Sequence, residues 1–223
     1  DWALGEYLAS HGYVVVTAPT VGTASQQVTR VPVAIETHTR NMEVSQAVAA
    51  ALPFVDATRV GLIGTNFDGL AALNHQMRNM GAAAVVSLDG YETKIANAGG
   101  LRGSPYFDAT RMRVPYLSFT QDNQPMYAFK DSLARALKYA ERYAYVVRDM
   151  EHAHLIVNLM VYPQLRAEQR LGYDFVRRTT RTFLDAYVKG DTSARVSMAR
   201  SAVQNGYPAW LVETELKLPA LPA

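Results

Sequence analysis

The sequence predicts an α/β protein whose mostly parallel sheet carries helices on both faces. Short runs of β-branched and apolar residues that stop at Gly, Pro or Asp alternate with longer segments of helical spacing. The strand runs are nearly continuously apolar, which is typical of strands buried on both faces of a parallel sheet. The 223 residues are 49% hydrophobic and 19% charged, which suffices for a substantial core. Neither an internal repeat nor a composition break appears, so we expect residues 1–223 to form a single domain.

Composition excludes several classes of protein. There are 22 Lys and Arg against 20 Asp and Glu, and without a basic cluster this argues against nucleic acid as a partner. Apolar runs such as residues 81–88 are far shorter than the roughly 18 residues of a membrane-spanning helix. The absence of cysteine excludes disulfides, thiolate catalysis and Cys-ligated zinc. Since no motif calls for a cofactor, we expect none.

The first quarter of the chain predicts two helices and one strand. Residues 2–10 have helical spacing and end at His11-Gly12, and residues 13–17, Tyr-Val-Val-Val-Thr, predict a buried strand. Residues 20–37 are polar and predict a loop. Residues 40–52 predict a helix, whose inward side chains we expect to be Met42, Val44, Ala47, Val48 and Ala51.

The remaining elements follow the same alternation. A turn at residues 56–59 and a Gly-rich stretch at 98–104 interrupt it. Apolar runs predict strands at residues 60–63, 83–88, 114–119 and 143–147, the last of these being the final strand. Helical spacing predicts helices at residues 70–80, 123–139 and 165–188, and the Pro-rich tail from residue 216 should be extended.

The segment after the second predicted strand carries the main functional signal. Residues 60–70 read Val-Gly-Leu-Ile-Gly-Thr-Asn-Phe-Asp-Gly-Leu, a strand that runs through a tight turn into a helix. This is the setting of the nucleophile elbow, G-x-S-x-G, in which small flanking residues permit the sharp backbone bend.

The pattern extends beyond this turn. Asp56-x-x-Arg59 precedes the strand, Leu88-Asp89-Gly90 ends the next one, and histidines follow the last. With the helix end at residues 183–191, these motifs resemble the α/β-hydrolases over most of the chain. Within that group they are similar to dienelactone-hydrolase and platelet-activating-factor acetylhydrolase-like esterases. The resemblance implies an α/β-hydrolase fold and carboxylic-ester hydrolysis.

Two departures decide the function that we expect. Asn66 stands where the family has its nucleophilic serine, and Asp68 stands where it has the second glycine of the elbow. An amide cannot form the acyl-enzyme, and Asp68 adds a charge and a Cβ at the bend. We therefore favour an esterase-like scaffold that serves as a binding or structural protein. The alternative is an ester hydrolase whose serine has been replaced by Asn66, and we give less weight to an amide counterpart of a dehalogenase-like aspartate nucleophile.

The resemblance also implies the partners of this position. Asp89, at the carboxyl end of the next strand, matches the acid of the esterase triad, although Asp-Gly is also a common turn. Asp122 is the alternative acid. His152 and His154 follow the last strand, and His154-Leu-Ile-Val-Asn158 resembles the family's histidine motif, so we favour His154 as the base.

The neighbouring residues have further candidate roles. The backbone N–H of Phe67 would be one oxyanion donor in an intact elbow. Alternate residues on a strand share one face, so His152 and His154 could also bind a metal, but no third ligand is evident and we expect no metal. We expect His11 at a helix end, His38 in a loop and His75 on a helix surface.

The resemblance further implies a strand between residues 13–17 and residues 60–63, with an oxyanion loop at its carboxyl end. The sequence opens with Asp-Trp, after that strand, so we expect an N-terminally incomplete or processed domain. The expected partners are an ester-like small molecule, a protein or a second copy of this chain. We expect secretion or a periplasmic location, from the lack of cysteine and the similar bacterial esterases.

Overall fold

The computed structural model describes residues 2–17, 32–93, 101–122, 132–156 and 164–222. These residues form one sheet with helices on both faces. The strands are β1 (Gly61–Thr65), β2 (Ala84–Leu88), β3 (Tyr116–Gln121), β4 (Arg142–Val147) and β5 (Val212–Leu218). They lie in the order β1-β2-β3-β4-β5, with β1 to β4 parallel and β5 antiparallel to β4.

Helices connect and cover these strands. They are α1 (Trp2–Ala9), α2 (Pro32–Ala50), α3 (Asp68–Asn79), α4 (Ser132–Ala136), α5 (His152–Ile156), α6 (Ala167–Tyr187) and α7 (Thr192–Ala199). Short 3-10 helices cover Tyr91–Thr93 and Ala109–Arg111. None of the described helices is both long enough and apolar enough to cross a membrane.

The two faces of the sheet contribute side chains to two separate cores, because successive side chains of a strand point to opposite faces. Val86 and Leu88 of β2 pack in one core with residues of α1 and α6. Val85, which precedes Val86, packs in the other core with Leu70 and Leu73 of α3. Every residue of β2 is buried, as the continuous apolar run predicts for an interior parallel strand.

The predicted α/β class with a mostly parallel sheet and flanking helices is confirmed. The strands predicted at residues 60–63, 83–88, 114–119 and 143–147 correspond to β1 through β4. The helices predicted at residues 2–10, 70–80 and 165–188 correspond to α1, α3 and α6. The hydrolase topology in particular, and the single domain over residues 1–223, stay predictions.

Residues 13–17 do not form the predicted strand, since they join none of the described strand ladders. Their side chains nevertheless alternate as in a strand. Tyr13 and Val15 pack against the core that contains α1 and α6, whereas Val14 and Val16 are 47% and 42% exposed. A cavity of about 630 Å³ lies between this segment and β1, so the two are not direct neighbours, as predicted.

The polar loop predicted at residues 20–37 is wrong over its described part, because α2 already begins at Pro32. Met42 packs against the core that contains residues of α3, as predicted. The rest of the predicted inward face is wrong: Val44 and Val48 are exposed, whereas His38 and Thr39 are buried. Hydrogen bonds explain this burial, since Thr39 donates to the Ile35 carbonyl at 2.8 Å and accepts from Asn74 at 2.9 Å.

Residues 18–31, 94–100 and 123–131 lie outside the described residues. They include parts of the loop predicted at residues 20–37 and of the helix predicted at residues 123–139.

The strand at residues 143–147 is not the last one. β5 follows α7 and takes in residues 216–218 of the predicted tail. Its sequence, Val-Glu-Thr-Glu-Leu-Lys-Leu, places its charged residues on one face and Val212, Leu216 and Leu218 on the other, which is typical of a strand that is covered on one face.

His75 lies on α3 but is 1% exposed, which corrects the predicted surface position. Both ring nitrogens lack a hydrogen-bond partner among the described residues. Burial lowers the pKa of His75; Glu43 partly offsets this effect and Arg78 adds to it. The unfolded chain therefore binds a proton more readily than the native one.

We expect the free energy of unfolding to fall as the pH drops below about 6.5, the ordinary histidine pKa. Because the pKa of His75 is lower in the folded state, its contribution to stability is complete above the pKa of the unfolded state. This contribution is lost as the pH falls from there towards the pKa of the folded state. Urea unfolding of the native chain and of His75→Leu at pH 7 and pH 5 measures this. The variant should lose less stability between the two pH values, and an equal loss in both proteins would contradict the prediction.

Candidate functional site

Asn66 lies on the turn between the end of β1 at Thr65 and the start of α3 at Asp68. Its φ of 55° is in the left-handed region, which asparagine tolerates better than most residues. Its N–H donates to the Leu88 carbonyl at 3.2 Å, and its carbonyl accepts the N–H of Gly69 and of Tyr91, both at 3.2 Å. The predicted tight turn from a strand into a helix is confirmed, and it lies at the carboxyl edge of the parallel strands.

A close backbone approach accounts for the glycine before this turn. A Cβ atom placed on Gly64 would lie 2.2 Å from the carbonyl oxygen of Asp68 and 2.5 Å from the nitrogen of Gly69. No side chain can occupy that space, because both neighbours are backbone atoms. The tight bend therefore requires glycine at position 64.

Asp89 follows β2 and is fully buried, with a φ of 44° and its N–H bonded to the Phe119 carbonyl at 2.8 Å. Its Oδ2 contacts Nδ1 of His152, the first residue of α5. Because an ionised carboxylate only accepts hydrogen bonds, Nδ1 is the donor, and the neutral ring then carries its lone pair on Nε2. This is the arrangement by which a carboxylate orients a histidine base.

The choice of His154 is thereby corrected. His154 is 6% exposed, and its Nδ1 accepts the N–H of Glu151, the residue before the helix, at 3.0 Å. Burial lowers the pKa of His154, because it disfavours the charged ring. The two histidines lie on a short helix and not on a strand, so the strand argument for a shared metal-binding face fails too.

Tyr91 connects the turn to the histidine. Its ring stacks on Phe67 with centroids 4.4 Å apart, and it meets the His152 ring edge-on at 6.2 Å. Its backbone N–H binds the Asn66 carbonyl, as described above. Asn66, Phe67 and His152 are all partly exposed, so the site opens at the surface.

Asp68 has a partner that the sequence does not predict. His38 belongs to α2, not to a loop, and its Nδ1 lies 2.6 Å from the Asp68 carboxylate. The His38 side chain is 3% exposed and that of Asp68 is 26% exposed. Asp68 is also in the first turn of α3, where the helix dipole favours an anion. The Asp68 carboxylate at the bend is therefore stabilised by its contact with His38 and by the dipole of α3.

A buried carboxylate lies behind the turn, and the sequence does not predict it either. Glu92 is 1% exposed and accepts a hydrogen bond from the Tyr116 hydroxyl at 2.8 Å. Burial, and then the Glu92 charge, raise the pKa of Tyr116 well above its ordinary value. Cβ atoms on Gly69 or Gly90 would come within 2.3 Å and 2.1 Å of Glu92, so both glycines leave room for it. Nothing in the local sequence pattern distinguishes Glu92 from an exposed glutamate.

The remaining candidates stand apart from this pair. Asp122, the alternative acid, follows β3, and burial with the nearby Glu213 and Asp149 charges raises its pKa. The structure pairs Asp89 with a histidine instead. Within the described residues, no group of three or more His, Asp or Glu side chains is placed to hold a metal ion. The oxyanion role of the Phe67 N–H stays a prediction.

The site combines an oriented base with a residue that cannot be a nucleophile. His152 and Asp89 can accept and return a proton at Nε2 of the ring. The Asn66 amide can only donate and accept hydrogen bonds. Its Oδ1 is buried without a partner among the described residues. The sequence matches no protein-family model, and a search of curated proteins finds no match to it.

The histidine assignment predicts a specific NMR signal. The Nδ1 proton of His152 should give a downfield resonance, because a carboxylate holds it away from solvent exchange. Asp89→Asn and His152→Gln should each abolish this resonance, and the matched variant His154→Gln should retain it. A resonance that survives in His152→Gln would contradict the assignment.

Proposed function

We propose that this chain is a serine-esterase-like α/β-hydrolase scaffold that has lost its nucleophile at Asn66 and functions by binding. The observation that carries the proposal is Asn66 on a left-handed strand-to-helix turn, at the same sheet edge as the His152–Asp89 pair. Parallel strands bring their carboxyl ends to one edge, so residues after β1, β2 and β4 converge there. The bound molecule would be ester-like, and a protein partner or self-assembly would use the same scaffold.

The chemistry at the turn supports binding without turnover. Acyl transfer requires a nucleophile that loses a proton to the base, and the Asn66 amide has none to give at useful pH. An amide can instead hydrogen-bond a ligand carbonyl or hydroxyl. The partly exposed ring of His152 supplies a second polar contact beside the Tyr91 and Phe67 rings.

The alternative is a carboxylic-ester hydrolase whose serine is replaced by Asn66. The His152–Asp89 contact favours it, because binding alone does not need a carboxylate that fixes the tautomer of a histidine. In that case hydrolysis would use His152 and Asp89 once a serine stood at position 66. For either function we further propose a secreted or periplasmic location, on the grounds of cysteine absence and the esterase resemblance.

Activity assays on the purified native chain distinguish both of these proposals from an active esterase. We expect no burst or turnover with p-nitrophenyl esters and no covalent labelling by a fluorophosphonate probe, measured by intact mass. The same esters should perturb the ring resonances of His152 on titration, since they bind beside it. Labelling of the native chain at any residue, or steady turnover, would contradict the proposal.

A further inference from the structure

Glu92 lies where the two turns of the candidate site meet. One turn carries Asn66 into α3, and the other carries Asp89 beyond the end of β2. The Asn66 N–H donates to the Leu88 carbonyl and the Asn66 carbonyl accepts the Tyr91 N–H, both at 3.2 Å, so two backbone hydrogen bonds join the turns. Glu92 follows Tyr91 in the short 3-10 helix after β2 and is 1% exposed. Its side chain is therefore enclosed by protein beside this junction.

The Glu92 carboxylate fills the space between the two turns. A Cβ atom on Gly69, at the start of α3, would lie 2.3 Å from Oε2 of Glu92, and one on Gly90 would lie 2.1 Å from the same oxygen. Gly69 belongs to the first turn, since its N–H binds the Asn66 carbonyl, and Gly90 directly follows Asp89 in the second. One carboxylate oxygen thus contacts the backbone of both turns and sets the distance between them.

A hydrogen bond from the sheet fixes the carboxylate in this position. The Tyr116 hydroxyl donates to Oε1 of Glu92 at 2.8 Å, and Tyr116 is 1% exposed. Tyr116 belongs to β3, an interior strand that pairs with β2 on one side and β4 on the other. One carboxylate oxygen is therefore anchored to the centre of the sheet, while the other contacts the two turns.

We propose that Glu92 is a positioning residue, which holds Asn66 and the His152–Asp89 pair in the relative placement that one ligand requires. This role rests on the proposed function, in which Asn66 and His152 contact the same molecule. Glu92 is buried behind the turn and acts through the two glycines, because the space between the turns determines where Asn66 lies relative to Asp89, and Asp89 orients His152. An apolar side chain could fill this space with less desolvation, but only a hydrogen-bond acceptor can be fixed by the tyrosine hydroxyl.

Two variants of Glu92 test this role by NMR. Glu92→Ala removes the acceptor and the atoms between the turns, so the downfield Nδ1 resonance of His152 should disappear and the Tyr91 amide should exchange at least about tenfold faster. Glu92→Gln has the same size and keeps an oxygen for Tyr116, so the resonance and the slow exchange should both remain. The proposal is overturned if both signals survive in Glu92→Ala, or if Glu92→Gln loses them as Glu92→Ala does.

Phe183→Leu is the matched control for a general loss of stability. Phe183 is fully buried in α6 and belongs to the core on the other face of the sheet, where the shorter side chain leaves a cavity. This variant should unfold at lower urea concentration and keep both NMR signals, and equal effects of Phe183→Leu and Glu92→Ala would overturn the proposal. If Glu92→Ala does not fold, Tyr116→Phe removes only the anchoring hydroxyl and should still speed exchange at the Tyr91 amide. An unchanged rate in that variant would overturn the proposal equally.

A labelling assay distinguishes this role from the proposed function. In a chain that carries Asn66→Ser with Asp68→Gly, adding Glu92→Ala should slow labelling by a fluorophosphonate at least about tenfold, since a misplacement of about 1 Å can slow a reaction about 10²-fold. Adding Phe183→Leu should leave the rate unchanged, and an unchanged rate with Glu92→Ala would overturn the positioning role. If the chain with the first two substitutions is not labelled at all, the proposed function fails, whereas the NMR measurements still decide the role of Glu92.

Discussion

In the double variant Asn66→Ser with Asp68→Gly, we expect covalent labelling by a fluorophosphonate probe that the native chain does not show. Serine at position 66 would stand on the left-handed turn at the sheet edge where His152 is oriented by Asp89. The base can then take the hydroxyl proton as the oxygen attacks phosphorus and displaces fluoride. Glycine at position 68 removes the anion beside the developing negative charge, so Asn66→Ser alone should react more slowly. Intact mass against time gives the rate of labelling.

The two histidines give the control for this experiment. Adding His152→Ala to the double variant should slow labelling by at least about 10²-fold, the usual contribution of a general base. Adding His154→Ala should change it little, since that ring binds the Glu151 backbone. An equal loss of labelling rate with His152→Ala and with His154→Ala would contradict the assignment of His152 as the base. Labelling of Asp68→Gly without a serine at position 66 would contradict the role of the turn.

We expect Asp68→Gly to lower the free energy of unfolding, and urea unfolding of this single variant measures the loss. Removing the Asp68 carboxylate leaves the buried Nδ1 of His38 without its acceptor. A buried polar group deprived of its partner costs about 1–3 kcal/mol. Asp68→Gly alone should therefore unfold at lower urea concentration than the native chain, and labelling is compared only among variants that remain folded.

Gly64→Ala should be among the most destabilising single substitutions in this protein. The new methyl group would lie 2.2 Å from the Asp68 carbonyl oxygen, and this backbone at the start of α3 cannot move away without opening the turn. We expect a loss of about 3 kcal/mol or more, at the upper end for overpacking, and a fall in Tm of roughly 6–12 °C. Thermal unfolding followed by circular dichroism measures this.

Gly81→Ala is the matched control for that substitution. Its Cβ would meet no atom within 4 Å, so the substitution should leave Tm unchanged or raise it slightly through the unfolded state. If both variants had the same Tm, the close backbone approach at Gly64 would not be a constraint. The Gly64→Ala variant should also lose the downfield His152 resonance if the turn and the pair form together.

The sequence predicts the sheet well because its strands are buried on both faces. A continuous apolar run such as residues 83–88, too short for a buried helix, indicates an interior strand, and β2 is buried along its whole length. The first half of α2 is not predicted from the sequence, because its inward side chains are polar. Its inward side chains include His38 and Thr39, whose burial depends on Asp68 and Asn74 of another helix. No local periodicity can reveal such a partner.

The sequence predicts the site only to the level of its elements. The turn at Asn66 and the acid at Asp89 follow from residues at strand ends, where parallel topology brings them together. The choice between His152 and His154 depends on the rotation of α5, because residues two positions apart in a helix point to nearly opposite sides, about 200° around its axis. Two residues on one short helix therefore face different partners. Glu92 cannot be predicted locally, because its burial depends on two glycines and on the distant Tyr116.

The outer strand β5 bears on aggregation, since open sheet edges are where chains stack into fibrils. Its residues Glu213, Glu215 and Lys217 place charge on every second position of that edge. Lys217 forms an ion pair with Glu215 at 3.0 Å and also donates to the Met198 carbonyl at 2.9 Å. Another strand that paired there would have to desolvate these charges. The charged residues of β5 therefore disfavour fibril growth from this edge of the described sheet.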